Sequence, residues 1–290
     1  AFWARAADGV RLRVAHWPGA ARGSVFLIPG RTEYIEKYGP TAADLVAAGW
    51  HVLSLDVRGQ GLADRPLPDP MVGHVRTHAD YQLDVAAAVD AMRALALPEP
   101  WHVLGHSMGG SIGLRALIEG KPFVSAAFSA PMWGIRLSTG VEPAARVVAA
   151  AARLVGRHTG YAPGTGPKTY LLAAPFEGNV LTTDEPTWDW MRQQAEAHPA
   201  LTLGGPSLAW AAGAMAETRW LARQPRPRVP SLVLLGSGER IVNTAAVQSM
   251  VKGWPEARLV LLPGAEHEVL MEAPRIREEA MKAIIAHFAA

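Results

Sequence analysis

The chain has 290 residues, of which 49% are hydrophobic and 19% charged, and its formal net charge is +2. This composition is typical of a folded protein with a large core, and so small a charge gives no electrostatic argument for nucleic-acid binding. The absence of cysteine excludes disulfides, thiolate metal ligands and a cysteine nucleophile, and no apolar run has the length of a membrane span.

Short apolar strands alternate with helices in the first part of the chain. Strands are predicted at 10–17, 24–28, 50–55, 101–104 and 123–128, and helices at about 38–48, at about 78–97 and directly after Ser107. Near-continuous apolar strands that alternate with helices indicate a mostly parallel sheet with helices on both faces. We therefore expect an α/β fold.

This alternation stops in the middle of the chain. Between residues 131 and 228 no strand is predicted, and glycine- and proline-rich breakers separate helices. Strands resume at 231–235 and 258–262, and a helix at 274–288 ends the chain. We therefore expect a core built from residues 1–130 and 229–290, with a helical cap inserted at 131–228.

A glycine-rich turn, GHSMGG at 105–110, joins the 101–104 strand to the next helix. A serine nucleophile projects from a tight strand-to-helix turn, which requires small residues two positions to either side. Gly105 and Gly109 meet this requirement, so Ser107 is the predicted nucleophile, the alternative being an incidental serine in a turn. A second GxSxG match is centred on Ser111, but no strand leads into it, and Ser111 is expected to be an ordinary helix residue.

A serine nucleophile needs a histidine base that a carboxylate orients. In a parallel sheet these partners lie beyond the carboxyl ends of later strands. Glu239 follows the 231–235 strand and His267 follows the 258–262 strand, so the predicted triad is Ser107, Glu239 and His267. His106, Glu266 and Glu268 adjoin these residues in sequence and are expected to point elsewhere.

Two backbone N–H groups must stabilise the negative charge of a tetrahedral intermediate. We expect one from Met108, at the positive end of the helix that follows the nucleophile. The other is expected from Arg31, in the loop after the 24–28 strand, where Gly30 lets the backbone turn. An ordinary strand-to-helix turn would contain the same glycine.

Several motifs besides the turn at Ser107 carry a resemblance: IPGRTEYIEKY, DVRGQG, GSGERIV and PGAEH in the core, and LTTDEPTWDW and HPALTLGGPS in the cap. With them the chain resembles the α/β-hydrolases, and more narrowly the bacterial lysophospholipases and monoacylglycerol lipases. The resemblance implies a serine ester hydrolase that acts through an acyl-enzyme on a lysophospholipid, a monoacylglycerol or a related single-chain lipid ester. The chain departs from the monoacylglycerol lipase pattern at Pro29, Glu239 and Ala63, where His, Asp and Ser are usual.

Substrate specificity is expected to lie in the cap. Arg146, Arg153 and Arg157 share one face of an apolar helical segment, either as cations for acidic head groups or as the solvated edge of a core-facing helix. Arg146 and Arg153 are candidate substrate-binding residues. So are three cap tryptophans, for which ordinary packing is the alternative: Trp133, Trp188 and Trp210.

Two other functions fit the same motifs. A serine peptidase or amidase of this fold would need acidic cap residues to hold a substrate amino terminus, and the candidates are Glu177, Asp184, Glu185, Asp189 and Glu196. A non-enzymatic ligand-binding protein would be expected to lack a triad member. We expect no metal and no cofactor, a small ester or lipid as the partner, and no nucleic acid. The protein is expected to be cytoplasmic, to lack a signal peptide and to contact membrane surfaces transiently. The oligomeric state stays open.

Overall fold

The computed structural model describes residues 1–137, 148 and 151–290. Its central sheet has eight strands. They are β1 (Phe2–Arg5), β2 (Arg11–Trp17), β3 (Ser24–Ile28), β4 (His51–Leu55), β5 (Trp101–His106), β6 (Ser125–Ser129), β7 (Ser231–Gly236) and β8 (Ala257–Leu262).

The sheet is mostly parallel, with the strand order β1-β2-β4-β3-β5-β6-β7-β8. Only β1 and β2 run antiparallel to their neighbours, and every pair from β4 across to β8 is parallel. The central strands β3, β5, β6 and β7 are buried along their whole length. This is the burial expected where helices cover both faces of a parallel sheet, and the predicted α/β fold is confirmed.

Helices follow the strands along the chain. In the first part they are α1 (Gly39–Ala47), α2 (Tyr81–Ala94) and α3 (Met108–Ile118). Later helices, which we name by their bounds, are Tyr170–Ala173, Glu185–Ala197, Leu208–Arg223, Thr244–Lys252 and Pro274–Phe288. Short 3-10 turns lie at Ile35–Tyr38, His78–Asp80, Pro199–Leu201 and Val269–Met271.

The core has one layer on each face of the sheet. Successive side chains of a strand point to opposite faces, so Phe26 and Ile28 pack with α2 and α3, whereas Val25 and Leu27 pack with α1 and the Pro274–Phe288 helix. This arrangement fixes the carboxyl ends of β3, β5, β7 and β8 along one edge of the sheet, where the loops that follow them meet.

Most predicted elements match the observed ones within a few residues. The 24–28 strand and the 274–288 helix have the predicted bounds, and among the described residues between β6 and β7 there is no strand. The short edge strand β1 was not predicted, because four residues carry too little pattern to read. The predicted 78–97 helix begins with a 3-10 turn and ends at Ala94. No helix in the described ranges is both long and apolar enough to span a membrane.

Candidate active site

Ser107 occupies a strained turn between β5 and α3. Its backbone has φ of 50° and ψ of −113°, a conformation that L residues adopt only where the surroundings enforce it. A Cβ on Gly109 would lie 2.0 Å from the Ile28 carbonyl oxygen, and one on Gly105 would lie 2.5 Å from the Gly109 carbonyl oxygen. The two glycines therefore let the turn form, and it lifts the Ser107 hydroxyl clear of the backbone. Ser111 lies within α3 and its hydroxyl donates to the Met108 carbonyl at 2.7 Å.

The structure brings Ser107, His267 and Glu239 together. The Nε2 atom of His267 lies 2.9 Å from the Ser107 hydroxyl oxygen, and its Nδ1 lies 2.6 Å from Oε2 of Glu239. A carboxylate next to Nδ1 holds the proton on that nitrogen, which leaves Nε2 free to accept the serine proton. Each of the three side chains comes from the loop that follows a different parallel strand.

The Glu239 carboxylate is charged and fixed in place. Its Oε1 accepts the backbone N–H groups of Ile241 at 2.5 Å and Val242 at 3.0 Å. Burial opposes the charge, but the His267 imidazole and these two N–H groups outweigh it and lower the pKa of Glu239 below its usual 4.5. Because both oxygens have partners, the carboxylate can orient His267 without rotating.

The two N–H groups predicted to bind an oxyanion belong to Met108, at the Ser107 turn, and to Arg31, in the loop after β3. Met108 is the first residue of α3, and an N–H in that position has no acceptor within its own helix. In the loop after β3, the Gly30 N–H donates to the Glu33 carboxylate and the Thr32 N–H donates to Gln60 at 3.3 Å. Over the described ranges, nothing accepts a hydrogen bond from the Arg31 N–H between them. Each of these two N–H groups could therefore donate a hydrogen bond to the negatively charged oxygen of a tetrahedral intermediate.

A buried cluster of charged side chains lies next to these loops and was missed from the sequence. It consists of Glu33, Lys37, His106 and Glu268, all buried. The Lys37 ammonium donates to Glu33 at 2.5 Å and to Glu268 at 2.7 Å. His106 and Glu268 do point away from the Ser107 hydroxyl, as expected, but into this cluster. The four-residue spacing of Glu33 and Lys37 gave no signal of burial, because the same spacing is common for ion pairs on solvated helix faces.

Glu33, His106 and Glu268 place three potential metal-ligand atoms within 4.8 Å of one another. The Lys37 ammonium already contacts both carboxylates and supplies the positive charge that a metal ion would bring. The donor set therefore suits an ion network, and we assign no metal to it.

Two of the candidate substrate-binding tryptophans are enclosed by packing. Trp133 is 1% exposed, donates to the Gly110 carbonyl at 3.1 Å and packs against Phe128 and Trp254. Trp188 is fully buried against Tyr170 and Phe176. These contacts favour the packing interpretation for both rings.

The other candidates lie in different surroundings. The Trp210 indole donates to the Tyr81 hydroxyl at 3.0 Å, and the Arg31 guanidinium lies 5.0 Å from its ring centroid, so Trp210 adjoins the loop after β3. Arg153 is exposed on the surface. Arg146 lies outside the described residues.

Comparison with known proteins identifies relatives over nearly the whole chain. Residues 19–274 match the family described as serine aminopeptidase, S33. Lysophospholipase L2 of Escherichia coli K12 is 33% identical over 96% of this chain and 83% of its own length. Probable lysophospholipase L2 of Haemophilus influenzae is 29% identical over 91% of this chain and 83% of its own length.

Solved structures show the same fold at lower identity. A soluble variant of monoglyceride lipase from Saccharomyces cerevisiae, in complex with a substrate analog, superimposes with a TM-score of 0.76 and 18% identity. The match covers 98% of this chain and 93% of the yeast chain. At this identity the likeness supports the fold alone.

Proposed function

Because this chain belongs to the serine aminopeptidase S33 family and is a serine hydrolase of the α/β-hydrolase fold, we propose that it cleaves carboxylic esters through a triad of Ser107, His267 and Glu239. The observation that carries the proposal is the position of His267, which contacts Ser107 with one ring nitrogen and Glu239 with the other. A nucleophile, its base and the residue that orients the base are the parts that acyl transfer requires.

The reaction follows from these contacts. The Ser107 hydroxyl oxygen attacks the ester carbonyl carbon while its proton passes to Nε2 of His267, and Glu239 stabilises the imidazolium that forms. The N–H groups of Arg31 and Met108 bind the oxygen of the tetrahedral intermediate. His267 then gives its proton to the leaving alcohol, and an acyl-enzyme remains on Ser107. Water, deprotonated by the same imidazole, releases the acid and restores the serine.

We propose that residues 131–228 form a cap over this site. The segment leaves the core after β6, at the edge of the sheet that holds Ser107. Cap residues contact the loops of the site: the Arg31 guanidinium donates to the Gly204 carbonyl at 2.7 Å, and the Glu268 N–H donates to the Leu181 carbonyl at 2.8 Å. A cap in this position would set which substrates reach the serine.

For the substrate we propose a single-chain lipid ester, such as a lysophospholipid or a monoacylglycerol. The support is that the two relatives that match most of this chain are named lysophospholipase L2 and probable lysophospholipase L2, and that the yeast structure is of a monoglyceride lipase. A substrate of this kind combines an ester with an acyl chain, which apolar side chains of the cap can bury.

The family description favours peptidase activity as a second candidate. A peptidase of this kind would hold the substrate amino terminus with acidic cap residues. In the structure, the Asp184 carboxylate accepts the Thr187 N–H at the start of a helix, and Glu196 pairs with Arg192 at 3.2 Å. Glu177, Glu185 and Asp189 are exposed on the surface. Two of the five acids therefore have local partners, and the other three are exposed carboxylates.

A panel of substrates separates the candidates. It contains p-nitrophenyl esters of increasing chain length, a lysophospholipid, a monoacylglycerol and aminoacyl anilides. The proposal expects ester cleavage with a preference for long acyl chains. Anilide cleavage with little ester turnover would replace it with the peptidase.

A further inference from the structure

The buried cluster of Glu33, Lys37, His106 and Glu268 joins three loops of the site, those that follow β3, β5 and β8. Glu33 lies two residues after Arg31, His106 directly precedes Ser107, and Glu268 directly follows His267. Arg31, Ser107 and His267 therefore each have a cluster member as a close neighbour in sequence. A displacement of one loop must strain or break the contacts that hold the other two.

The contacts within the cluster are short, and Lys37 pairs with two carboxylates. Lys37 lies between the carboxylates of Glu33 and Glu268, at 2.5 and 2.7 Å, and the His106 Nε2 lies 3.2 Å from Glu268. With a neutral His106 the cluster would hold two negative charges against one positive charge, whereas a protonated His106 balances it. Removal of one partner from such a buried group leaves an uncompensated charge, which is strongly unfavourable.

Glu33 differs from the other cluster members because its carboxylate also binds the backbone of the turn at Gly30 and Arg31. Its Oε2 accepts the Gly30 N–H and the Tyr38 hydroxyl, while its Oε1 accepts the Lys37 ammonium. A Cβ on Gly30 would lie 2.7 Å from that Oε2, so the close approach of backbone to carboxylate requires glycine there.

Gln60 holds the rest of the turn. Its side-chain amide donates to the carbonyls of Gly30 at 2.7 Å and Glu33 at 3.0 Å, and its oxygen accepts the Thr32 N–H. The N–H groups of Gly30 and Thr32 thus donate to side chains. Of these three consecutive residues, Arg31 is the one whose N–H has no acceptor among the described residues.

We propose that Glu33 is a positioning residue of the reaction: its carboxylate fixes the Gly30–Arg31 turn so that the Arg31 N–H faces the oxyanion, and Lys37, Glu268 and His106 hold that carboxylate in register with Ser107 and His267. The inference rests on the proposed function, because it assigns Glu33 a task only if Arg31 supplies an oxyanion N–H. Glu33 does not touch the substrate and acts through the backbone of its neighbours.

The test is Glu33→Gln, which keeps the side-chain shape and removes the charge. Turnover of p-nitrophenyl butyrate is measured per active site, and active sites are counted by titration with a fluorophosphonate. The second measurement is the inhibition constant of butylboronic acid, which forms a tetrahedral adduct with an active serine. We expect kcat to fall about 10- to 100-fold, boronate binding to weaken in parallel, and KM to change less than about 2-fold. If kcat per active site and boronate affinity both stay at wild-type values, Glu33 is only structural and the inference is wrong.

Two further variants keep this test decisive. Tyr38→Phe removes one donor to the Glu33 carboxylate with little change in shape, and it replaces Glu33→Gln as the test if that variant fails to fold. Tyr38→Phe should also lower kcat, and an unchanged kcat would contradict the inference. Glu119→Gln removes a carboxylate that pairs with Arg115 at 2.7 Å just beyond the C-terminal end of α3, outside the proposed cap, and it should leave kcat unchanged. Failure of the fluorophosphonate to label Ser107 in the wild-type enzyme would overturn the proposed function itself, so the two failures are distinct.

Discussion

The Nε2 atom of His267 lies 2.9 Å from the Ser107 hydroxyl oxygen, although 160 residues separate the two side chains in the chain. The contact forms because β5 and β8 are parallel strands of one sheet, so the loops after them meet at the same edge. The loop after β7 meets them there and brings Glu239 to the other ring nitrogen. The topology of the sheet therefore places the proposed triad.

Glu239→Gln is expected to lower kcat about 10³- to 10⁴-fold, because an amide neither holds the proton on Nδ1 nor stabilises the imidazolium. Steady-state kinetics with a p-nitrophenyl ester measure the effect. The matched control is Glu266→Gln, next to His267 in sequence but paired with Arg240 at 2.7 Å, and it should stay within about 2-fold of wild type. Equal activity of the two variants would mean that another group orients the base.

His106 is expected to make the stability of the protein depend on pH. Burial opposes its charge, but the carboxylates of Glu268 and Glu33 outweigh that effect and raise the pKa of His106 above its usual 6.5. A folded-state pKa above the unfolded value stabilises the protein fully below that unfolded value, and this stabilisation is lost as the pH rises through the folded-state pKa.

Urea unfolding at a series of pH values measures this contribution. Above the usual pKa of 6.5, the free energy of unfolding should fall more steeply with pH in the wild type than in His106→Gln. Parallel pH profiles for the two proteins would contradict a raised folded-state pKa of His106.

Gly109→Ala is expected to destabilise the protein by about 3 kcal/mol or more, because the new methyl group would clash with the backbone at the end of β3, which cannot shift unless the strand shifts too. Its Cβ would lie 2.0 Å from the Ile28 carbonyl oxygen. Gly166→Ala is the control, since a Cβ there has nothing within 4 Å, and its free energy of unfolding should stay within about 0.5 kcal/mol of wild type. Similar unfolding free energies for both variants would contradict the tight turn around Ser107.

The three residues of the proposed triad were accessible to sequence reasoning for a physical reason. Each follows a strand whose apolar run is readable, and the parallel topology that such runs indicate sends the loops after them to one edge. The turn at Ser107 adds glycines that the conformation requires. Local pattern and global topology agree at these positions, so a single sequence was enough to predict that these three side chains meet.

The buried charge cluster could not be read in the same way. Glu33 and Lys37 lie one helical turn apart, a spacing that is ordinary on a solvated helix face, and Glu268 lies 231 residues from Lys37 in the chain. Nothing local shows that these charges are buried, because burial depends on how the loops pack. The same holds for Trp133, a cap tryptophan for which substrate binding and packing were both open, because its contacts with Phe128 and Trp254 are set by tertiary packing.

The central claim is that Ser107 is the nucleophile, and the most direct measurement is p-nitrophenyl ester turnover by Ser107→Ala alongside its thermal unfolding. Turnover is expected to fall by more than about 10³-fold, with far-ultraviolet circular dichroism and the unfolding temperature close to wild type, because the substitution removes one hydroxyl group from an otherwise unchanged turn. Wild-type turnover by a folded Ser107→Ala protein would contradict the account.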